Sequence, residues 1–186
     1  MSSLDLTDHF LIAMPGMMDP IFSKCLLYIC EHHEQGALGV VVNRPIAMNL
    51  ATLLSELGME ASSPESENIP IYFGGPVEME RGFILHEPVG QWQSTISVTQ
   101  NMGLTTSRDI LESLGKDMQP EHVLIALGYS GWAPGQLEHE LSQNAWLTTK
   151  ASLGVIFETP PEERLPATLR MMGIDWAQLS ESAGHG

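Results

Sequence analysis

Three arginines lie in irregular segments of a chain that holds only eight basic residues. Arg44 precedes a proline, Arg81 follows the sequence GGPVEME, and Arg108 stands at the predicted start of a helix. Guanidinium groups bind carboxylates and phosphates through paired hydrogen bonds, and a cation at a helix N-terminus is disfavoured unless an anion is close. We therefore hypothesise that two or three of these arginines converge on a small anionic ligand. The candidate ligand-binding residues are Arg44, Arg81, Arg108, Thr106, Ser107, Tyr129, Trp132 and Gln136.

The alternative interpretation of these arginines is purely structural. The chain holds 23 acidic residues, so ordinary salt bridges also account for arginines in constrained positions. Convergence distinguishes the two interpretations, because a ligand site requires a cleft, whereas a partner surface requires an exposed patch.

Residues 128–132, GYSGW, resemble the nucleophile elbow G-x-S-x-G, which projects a serine from the turn between a strand and a helix. The apolar run before this sequence predicts a strand, and the pattern after it predicts a helix. However, Trp132 stands where the elbow requires a small residue, and the only later histidines are His139 and His185. A triad needs its acid and histidine in a defined geometry. We therefore predict a tight turn with aromatic side chains at the edge of the core, and we assign no catalytic residue.

The histidines do not form a metal-binding pattern. His32 and His33 are adjacent at the end of a predicted strand, so their side chains point to opposite faces, and we predict a solvated strand end. His86 is isolated, and we predict a hydrogen-bonded structural role for it. The Gly-Gly-Pro sequence at 74–76 lacks the lysine and hydroxyl residue of a phosphate-binding P-loop. We expect neither a metal ion nor a cofactor.

The charge balance restricts the classes of partner. The 186 residues include 8 basic and 23 acidic side chains, for a net charge of −15. A surface this acidic repels phosphate backbones and anionic lipid headgroups. We therefore expect neither direct nucleic-acid binding nor membrane association. A protein partner, with a basic surface, or a small anionic ligand is the expected alternative.

The remaining composition predicts one globular domain over residues 1–186. The odd spacing of Cys25 and Cys30 places them on opposite faces of an extended segment, so we predict two reduced core thiols and no disulfide. No lysine or arginine precedes Lys24, which argues against a signal peptide, and the apolar runs are too short to span a bilayer. These features predict a cytoplasmic protein.

Hydrophobic patterns predict about eight strands and five helices. The predicted strands are 9–14, 25–31, 37–43, 70–73, 83–87, 94–99, 123–128 and 152–157. The predicted helices are 49–57, 105–115, 135–144, 162–172 and 175–180. Several strands follow one another without an intervening helix, which favours an α+β fold over a doubly wound sheet. The acidic segment 60–68 is predicted to be a mobile loop, and the tail 181–186 is predicted to fray.

Several longer motifs resemble the YqgE/AlgH family of bacterial proteins. They occur in the family's order over nearly the whole chain and are MPGMMDPIFSKCLLYICEH, GALGVVVNRP, YFGGPVEMERGFILH, LTTSRDILESL, LGYSGWAPGQLEHEL and MMGIDWAQLS. The resemblance implies a compact α+β domain in which a mixed, bifurcated β-sheet folds toward a pseudo-barrel, flanked by about five helices. It also implies a cytoplasmic protein with no established activity, and some family members carry the label of transcriptional regulator.

Two classes of function follow from these expectations. The first is a non-catalytic regulatory protein that acts through a protein partner or a ligand, because the chain has no helix-turn-helix and no basic stripe for contact with DNA. The second is a small anionic-metabolite-binding protein, or an enzyme, that uses a cleft rich in glycine and arginine. No reaction is assigned in either class.

Overall fold

The computed structural model describes residues 4–16, 19–60, 67–115 and 120–178. This part of the chain contains ten strands: β1 (His9–Ala13), β2 (Leu26–His33), β3 (Gly36–Val41), β4 (Pro45–Asn49), β5 (Pro70–Phe73), β6 (Val77–Glu87), β7 (Thr95–Ser97), β8 (Gly103–Thr105), β9 (His122–Trp132) and β10 (Trp146–Lys150). Its five complete helices are α1 (Leu50–Glu56), α2 (Arg108–Gly115), α3 (Gln136–Ser142), α4 (Leu153–Glu158) and α5 (Pro161–Met172). Most of the predicted mobile loop at 60–68, the end of the predicted helix at 175–180 and the predicted frayed tail at 181–186 lie outside the described residues.

The chain packs as two compact units. The first unit consists of Met1–Arg44 together with Ser130–Gly186, and the second unit consists of Pro45–Tyr129. β9 crosses the boundary between them, with residues 122–129 in the second unit and 130–132 in the first. The second unit is therefore one uninterrupted segment of chain, whereas the first is assembled from two segments.

The sheet of the first unit is antiparallel throughout, with the strand order β10-β1-β2-β3-β9. Ala13 of β1 pairs with Trp146 of β10, and Gly39 of β3 pairs with Ser130 of β9. β1 and β2 are buried over most of their length. This burial on both faces explains why their sequences read as continuous apolar runs without alternation.

In the second unit, β9 lies between β5, which pairs with it in parallel, and β6, which pairs with it antiparallel. β8 and then β7 extend the sheet beyond β6, and β4 pairs with β5 on the other side. α1 and α2 pack their apolar faces together with these strands. The resulting core contains Leu50, Leu53, Leu54, Ile71, Ile84, Ile110, Leu111, Leu114 and Ile125.

α1 begins and ends where its sequence predicts. The Asn49 side chain accepts a hydrogen bond from the Thr52 N–H at 3.0 Å, which satisfies a free donor of the first turn. Leu50, Leu53 and Leu54 are buried. Gly58 follows the helix with a φ of 75°, the left-handed conformation that commonly ends helices. These local signals agree with the tertiary packing, so the predicted helix at 49–57 is confirmed.

Gly128 allows β9 to change partners without ending. Its φ is 80°, and a Cβ at this position would lie 2.3 Å from the carbonyl oxygen of Gly75. Up to Leu127 the strand pairs with β5 and β6, Tyr129 still pairs with Val77 of β6, and residues 130–132 then pair with β3. The predicted turn at 128–132 is therefore wrong: the strand continues to Trp132, and the turn occupies 133–135.

Other elements differ from the predictions in detail. The predicted strand at 152–157 is helix α4, whose first turn is capped by Ser152 through the Val155 N–H at 3.3 Å. β4 and β10 were not predicted, and residues 103–105 form β8, so the helix predicted from 105 begins at Arg108. The α+β class is confirmed, and so is the mixed sheet, which forks at β9. Domain bounds of 1–186 stay a prediction.

The sequence predicts two reduced core thiols and no segment that spans a bilayer. Cys25 and Cys30 are buried free thiols, as predicted. Burial raises the pKa of Cys25 to about 11 and also raises the pKa of Cys30, which makes both poor nucleophiles. None of the described helices combines the length and the apolar character that crossing a membrane requires. The cytoplasmic location stays a prediction.

Candidate functional site

A cavity of about 180 Å³ in the second unit is lined by four of the eight candidate residues. Arg81 belongs to β6, Thr106 and Ser107 follow β8, and Arg108 is the first residue of α2. The wall is completed by Leu53, Leu57, Glu80, Gly82, Ile84, Leu111 and Leu127. The structure thus brings together two of the three arginines and both hydroxyl residues. Leu53, Leu57 and Leu127 were not predicted because they lie far in the sequence from the candidate arginines. Glu80 was not predicted although it is adjacent to Arg81.

Arg81 reaches the cavity with a side chain that is 51% exposed. Its Nη2 donates to Thr106 Oγ1 at 3.2 Å, and its Nη1 lies 3.7 Å from Glu78 Oε1. The guanidinium carbon also lies 5.8 Å from the centre of the Phe83 ring. An exposed ion pair contributes little to stability, so Thr106 and the aromatic face are the more important supports. A guanidinium has five N–H donors, and these contacts leave several for a ligand.

Arg108 resolves an apparent electrostatic conflict. As the first residue of α2, its charge is unfavourable for the dipole of its own helix. Its Nη2 donates to the carbonyl oxygen of Leu57, which caps the C-terminus of α1. The cation therefore lies at the negative end of a second helix dipole, where it is stabilising. This contact holds the guanidinium beside the cavity.

The hydroxyl of Ser107 is committed to holding the backbone. It donates to Asp109 Oδ1 and accepts from the Ser94 N–H at 3.0 Å. Asp109 Oδ2 also accepts from the Gln93 N–H at 2.7 Å. Slight burial raises the pKa of Asp109, but these hydrogen bonds outweigh it, and the net effect is a lowered pKa. Asp109 therefore stays ionised and pins residues 93 and 94 next to the start of α2.

The chemistry of this lining favours an anion with a small apolar body. Two guanidinium groups and the Glu80 carboxylate line the cavity, and the Glu78 carboxylate lies 3.7 Å from Arg81 Nη1, so the positive and negative side chains at the site are equal in number. Thr106 adds a hydroxyl beside Arg81. Most of the remaining wall is leucine and isoleucine, so a purely ionic ligand would contact apolar surface on its other side.

Arg44 does not take part in this site. It belongs to the first unit, and its guanidinium donates to the carbonyl oxygens of Ile21 and Ser23, the latter at 3.0 Å. The hypothesis of three converging arginines is therefore corrected to two. The physical reason is that the carbonyls of the 21–24 turn need donors, and Arg44 supplies them.

Tyr129, Trp132 and Gln136 also have structural roles and do not line the cavity. The Tyr129 ring packs against Phe83 at a centroid distance of 5.0 Å. Trp132 Nε1 and Gln136 Nε2 donate to the two oxygens of the Glu140 carboxylate, each at 3.0 Å. Glu140 Oε1 also accepts from the indole of the β10 residue Trp146 at 2.8 Å. The polar groups of Trp132 and Gln136 are thus hydrogen-bonded within the first unit.

Ser130 is not an elbow nucleophile. An elbow serine is exposed at the turn from a strand to a helix. Ser130 is 1% exposed and lies within β9, opposite Gly39 of β3. His139 lies on α3 and is exposed. The catalytic-serine interpretation is therefore removed by the geometry, as the absence of a suitable triad pattern predicts.

The two buried histidines have defined hydrogen-bond partners. His86 is fully buried between the Pro88 carbonyl and the Thr105 hydroxyl, so its predicted structural role is confirmed. His32 is also buried: its Nδ1 accepts from the Leu6 N–H at 2.9 Å, and its Nε2 contacts the Glu138 carboxylate. The prediction of a solvated strand end is therefore wrong for His32. Among the described residues, no three His, Cys, Asp or Glu side chains are grouped to hold a metal ion.

The fold and the cavity define an α+β protein with a pair of arginines at a partly apolar cleft. The chain belongs to the AlgH-like family, to which residues 10–177 match. A UPF0301 protein of Nitrosospira multiformis is 57% identical over 185 residues, with 100% of both chains covered. A UPF0301 protein of Dechloromonas aromatica is 54% identical over 185 residues, again with 100% of both covered.

Two solved structures share the fold. The AlgH protein from Pseudomonas aeruginosa has a TM-score of 0.82 at 45% identity, covering 97% of each chain. A protein from Corynebacterium diphtheriae has a TM-score of 0.73 at 17% identity, covering 96% of this chain and 93% of its own. The second likeness concerns the fold alone. Family membership, indicated by the sequence motifs, is thereby established.

Proposed function

We propose that the protein binds a small anion in the cavity of the second unit and acts as a non-catalytic regulatory protein. The observation that carries the proposal is the convergence of Arg81 and Arg108, from separate elements, on one cavity of about 180 Å³. Both guanidinium groups keep N–H donors for a ligand, and an anion can accept charge-assisted hydrogen bonds from them.

The size and wall of the cavity indicate the class of ligand. A water molecule occupies about 30 Å³ in the liquid, so 180 Å³ accommodates about six atoms of that size. Leu53, Leu57 and Leu111 favour an apolar body, and the guanidinium groups favour a carboxylate or phosphate head. A short branched carboxylate combines both features better than inorganic phosphate, which offers no apolar part.

The groups of the lining support binding more than chemistry. General acid–base or nucleophilic catalysis requires a titratable group or an activated nucleophile within hydrogen-bond reach of the substrate. The described lining contains no histidine or cysteine, and its one carboxylate, Glu80, is exposed to solvent. Its serine, Ser107, is engaged by Asp109 and by the Ser94 N–H. The proposal therefore assigns recognition, and no reaction, to these residues.

Regulation through a ligand or a protein partner fits the charge of the molecule better than direct contact with DNA. A net charge of −15 opposes binding to phosphate backbones. The same charge is complementary to a partner with a basic surface. We therefore propose that any effect on transcription is indirect.

Thermal unfolding in the presence of small anions tests the proposal. The probes are isobutyrate, isovalerate and inorganic phosphate, applied to the wild type, Arg81→Ala and Arg108→Lys. A ligand at a hundred times its Kd stabilises by about 2.7 kcal/mol, which raises the Tm of a chain of this size by about 5–10 °C. We expect this rise with a branched carboxylate, a smaller one with phosphate, and none in Arg81→Ala.

A matched control separates the cavity from general charge effects. Lys150→Ala removes one positive charge from an exposed position on β10, in the first unit. It should keep the full rise in Tm. An equal rise in Arg81→Ala, or no rise with any of the three anions while every variant remains folded, would overturn the proposal.

A further inference from the structure

We propose a second binding site, in the first unit, for an amphiphilic carboxylate such as a medium-chain fatty acid. The site is a cavity of about 510 Å³ beside the C-terminal half of α5. Its lining residues are Lys24, Leu165, Pro166, Leu169, Arg170, Ile174, Asp175 and Trp176. It shares no described residue with the cavity of the second unit and does not depend on the function proposed for that cavity.

The end of α5 is folded so that apolar side chains face one another across the cavity. Gly173 has a φ of 72°, and its N–H donates to the Arg170 carbonyl at 3.0 Å. The Ile174 N–H donates to the Leu169 carbonyl at 2.9 Å. This pair of bonds turns the chain back on the helix and brings Ile174 next to Leu169. Trp176 follows directly and lines the same space.

The wall is predominantly apolar. Five of the eight lining residues are Leu165, Pro166, Leu169, Ile174 and Trp176. A volume of about 510 Å³ lies within the range of small-molecule sites, roughly 300–1,000 Å³, which are apolar with a few placed polar groups. Water in such a space has few polar partners, so an apolar chain that displaces it gains free energy.

Two cations, Lys24 and Arg170, lie at this apolar wall. Lys24 and Arg170 form no salt bridge with any carboxylate in the part of the chain that the structure describes. The third charged residue, Asp175, already accepts the Ala177 N–H at 3.0 Å. In a chain with 23 acidic and 8 basic residues, two cations beside one cavity indicate an anionic partner.

The backbone of Lys24 is held firmly in an unusual conformation. Its φ is 59°, which is uncommon for a residue with a Cβ. The Lys24 carbonyl accepts from Asn43 Nδ2 at 3.0 Å, and the Leu26 N–H donates to Asn43 Oδ1 at 2.9 Å. The surrounding turn thus fixes where the ammonium group starts. In the proposed complex, the carboxylate head group of the ligand lies near Lys24 and its hydrocarbon chain lies along Leu165 and Trp176.

Fluorine NMR of protein labelled with 5-fluorotryptophan locates the ligand directly. The chain has four tryptophans, Trp92, Trp132, Trp146 and Trp176, and the variant Trp176→Phe assigns the fourth resonance. The probe is decanoate below its micelle concentration. We expect the Trp176 resonance to shift saturably while the other three stay in place.

Charge variants test the head-group contact. Lys24→Glu and Arg170→Glu should each weaken decanoate binding by about tenfold or more, because a charge-assisted hydrogen bond is replaced by repulsion. Lys150→Glu makes the same change at an exposed site outside the cavity and should leave the affinity unchanged. Decanol, which lacks the charge, should bind about tenfold more weakly than decanoate.

Three outcomes would overturn the inference. The first is a shift of all four resonances in parallel without saturation, which indicates nonspecific adsorption. The second is an unchanged affinity in Lys24→Glu and in Arg170→Gln, the milder variant, with both folded by circular dichroism. The third is loss of decanoate binding in Arg81→Ala, which would move the ligand to the cavity of the second unit. If the branched carboxylates do not bind in the cavity of the second unit, the decanoate experiments still test this site independently.

Discussion

His86 is buried with both ring nitrogens hydrogen-bonded. Nδ1 lies 2.9 Å from the Pro88 carbonyl oxygen, which can only accept, so Nδ1 carries the proton. Nε2 therefore accepts from the Thr105 hydroxyl at 2.6 Å, and Thr105 Oγ1 lies 2.8 Å from Thr95 Oγ1. Burial lowers the pKa of His86, although the bond to Pro88 opposes the shift. The folded protein thus holds a neutral imidazole.

This neutral histidine predicts a loss of stability in mild acid. The pKa of His86 is lower in the folded state than its ordinary value of 6.5, so the unfolded chain binds the proton first as the pH falls. The stabilising contribution is complete above about pH 6.5 and decreases below it. We expect the difference in unfolding free energy between the wild type and His86→Gln, measured in urea, to shrink from pH 8 to pH 5.5, roughly the range where histidine titrates.

The same substitution at His139, which is exposed on α3, controls for the change of residue type. Taking the difference between two proteins cancels the titration of the other acidic and basic groups. A constant difference between wild type and His86→Gln over this range would contradict the prediction.

Residue-level patterns predicted which arginines are constrained but not which groups they bind. Arg108 was singled out because a cation is unfavourable at the start of a helix, and its partner is the Leu57 carbonyl of another helix. Arg44 was singled out by the following proline, and its partners are carbonyls of a turn. In both cases the partner is a backbone group brought close by the tertiary fold. No side-chain pattern in the sequence marks such a partner.

At the level of elements, periodicity was reliable where local and tertiary signals agree. The leucine spacing and the Asn49 cap predicted α1 correctly. The run SLGVIF was interpreted as a strand from its hydrophobic pattern, but Ser152 caps a helix there, and Val155 and Ile156 are the buried residues of α4. A short apolar run fits either structure. β10, with the sequence WLTTK, was missed because its hydrogen bonds to β1, rather than apolar alternation, define it.

The path of β9 predicts that the loss of stability on replacing a glycine by alanine depends strongly on its position. A Cβ at Gly128 would lie 2.3 Å from the Gly75 carbonyl oxygen, in addition to the strain of a positive φ. We expect Gly128→Ala to lower the unfolding free energy by more than about 3 kcal/mol, because overpacking adds to the backbone strain. Urea unfolding followed by circular dichroism measures this loss.

Gly135 provides the matched control. Its φ is 77°, close to that of Gly128, but apart from its chain neighbours no described residue has an atom within 4 Å of the position of its Cβ. Gly135→Ala should therefore lower the unfolding free energy by about 1–2 kcal/mol, which is the strain of a positive φ alone. Equal losses of unfolding free energy in the two variants would show that the positive φ, and not the close approach to Gly75, makes alanine unfavourable at position 128.

For the whole molecule, the dominant electrostatic fact is the excess of acidic side chains. The net charge is −15 and the isoelectric point is about 4.6. Among the seven basic residues that the structure describes, four line the two cavities, namely Lys24, Arg81, Arg108 and Arg170. The sequence composition predicted the overall repulsion of anions. It could not predict the two local exceptions, because each cavity gathers residues from several elements.

Self-repulsion on this scale predicts stabilisation by salt. Screening lengths fall from about 30 Å at 0.01 M to about 3 Å at 1 M salt, and a compact chain far from neutrality gains most from screening. We expect the Tm at pH 7 to rise with sodium chloride over this range. Near pH 4.6, the isoelectric point, the rise should be much smaller. A rise of equal size at both pH values would assign the effect to general salting-out instead.

The discontinuity of the first unit governs how the protein emerges from the ribosome. β1, β2 and β3 are synthesised before the second unit, whereas β10, which pairs with β1, is synthesised after it. The second unit is a single stretch of chain, so it can fold during translation while β1 still lacks its partner β10. For several seconds at ordinary elongation rates, the nascent protein carries an apolar sheet with an open edge. Recovery of folded protein on overproduction should therefore depend on the chaperones that shelter nascent chains.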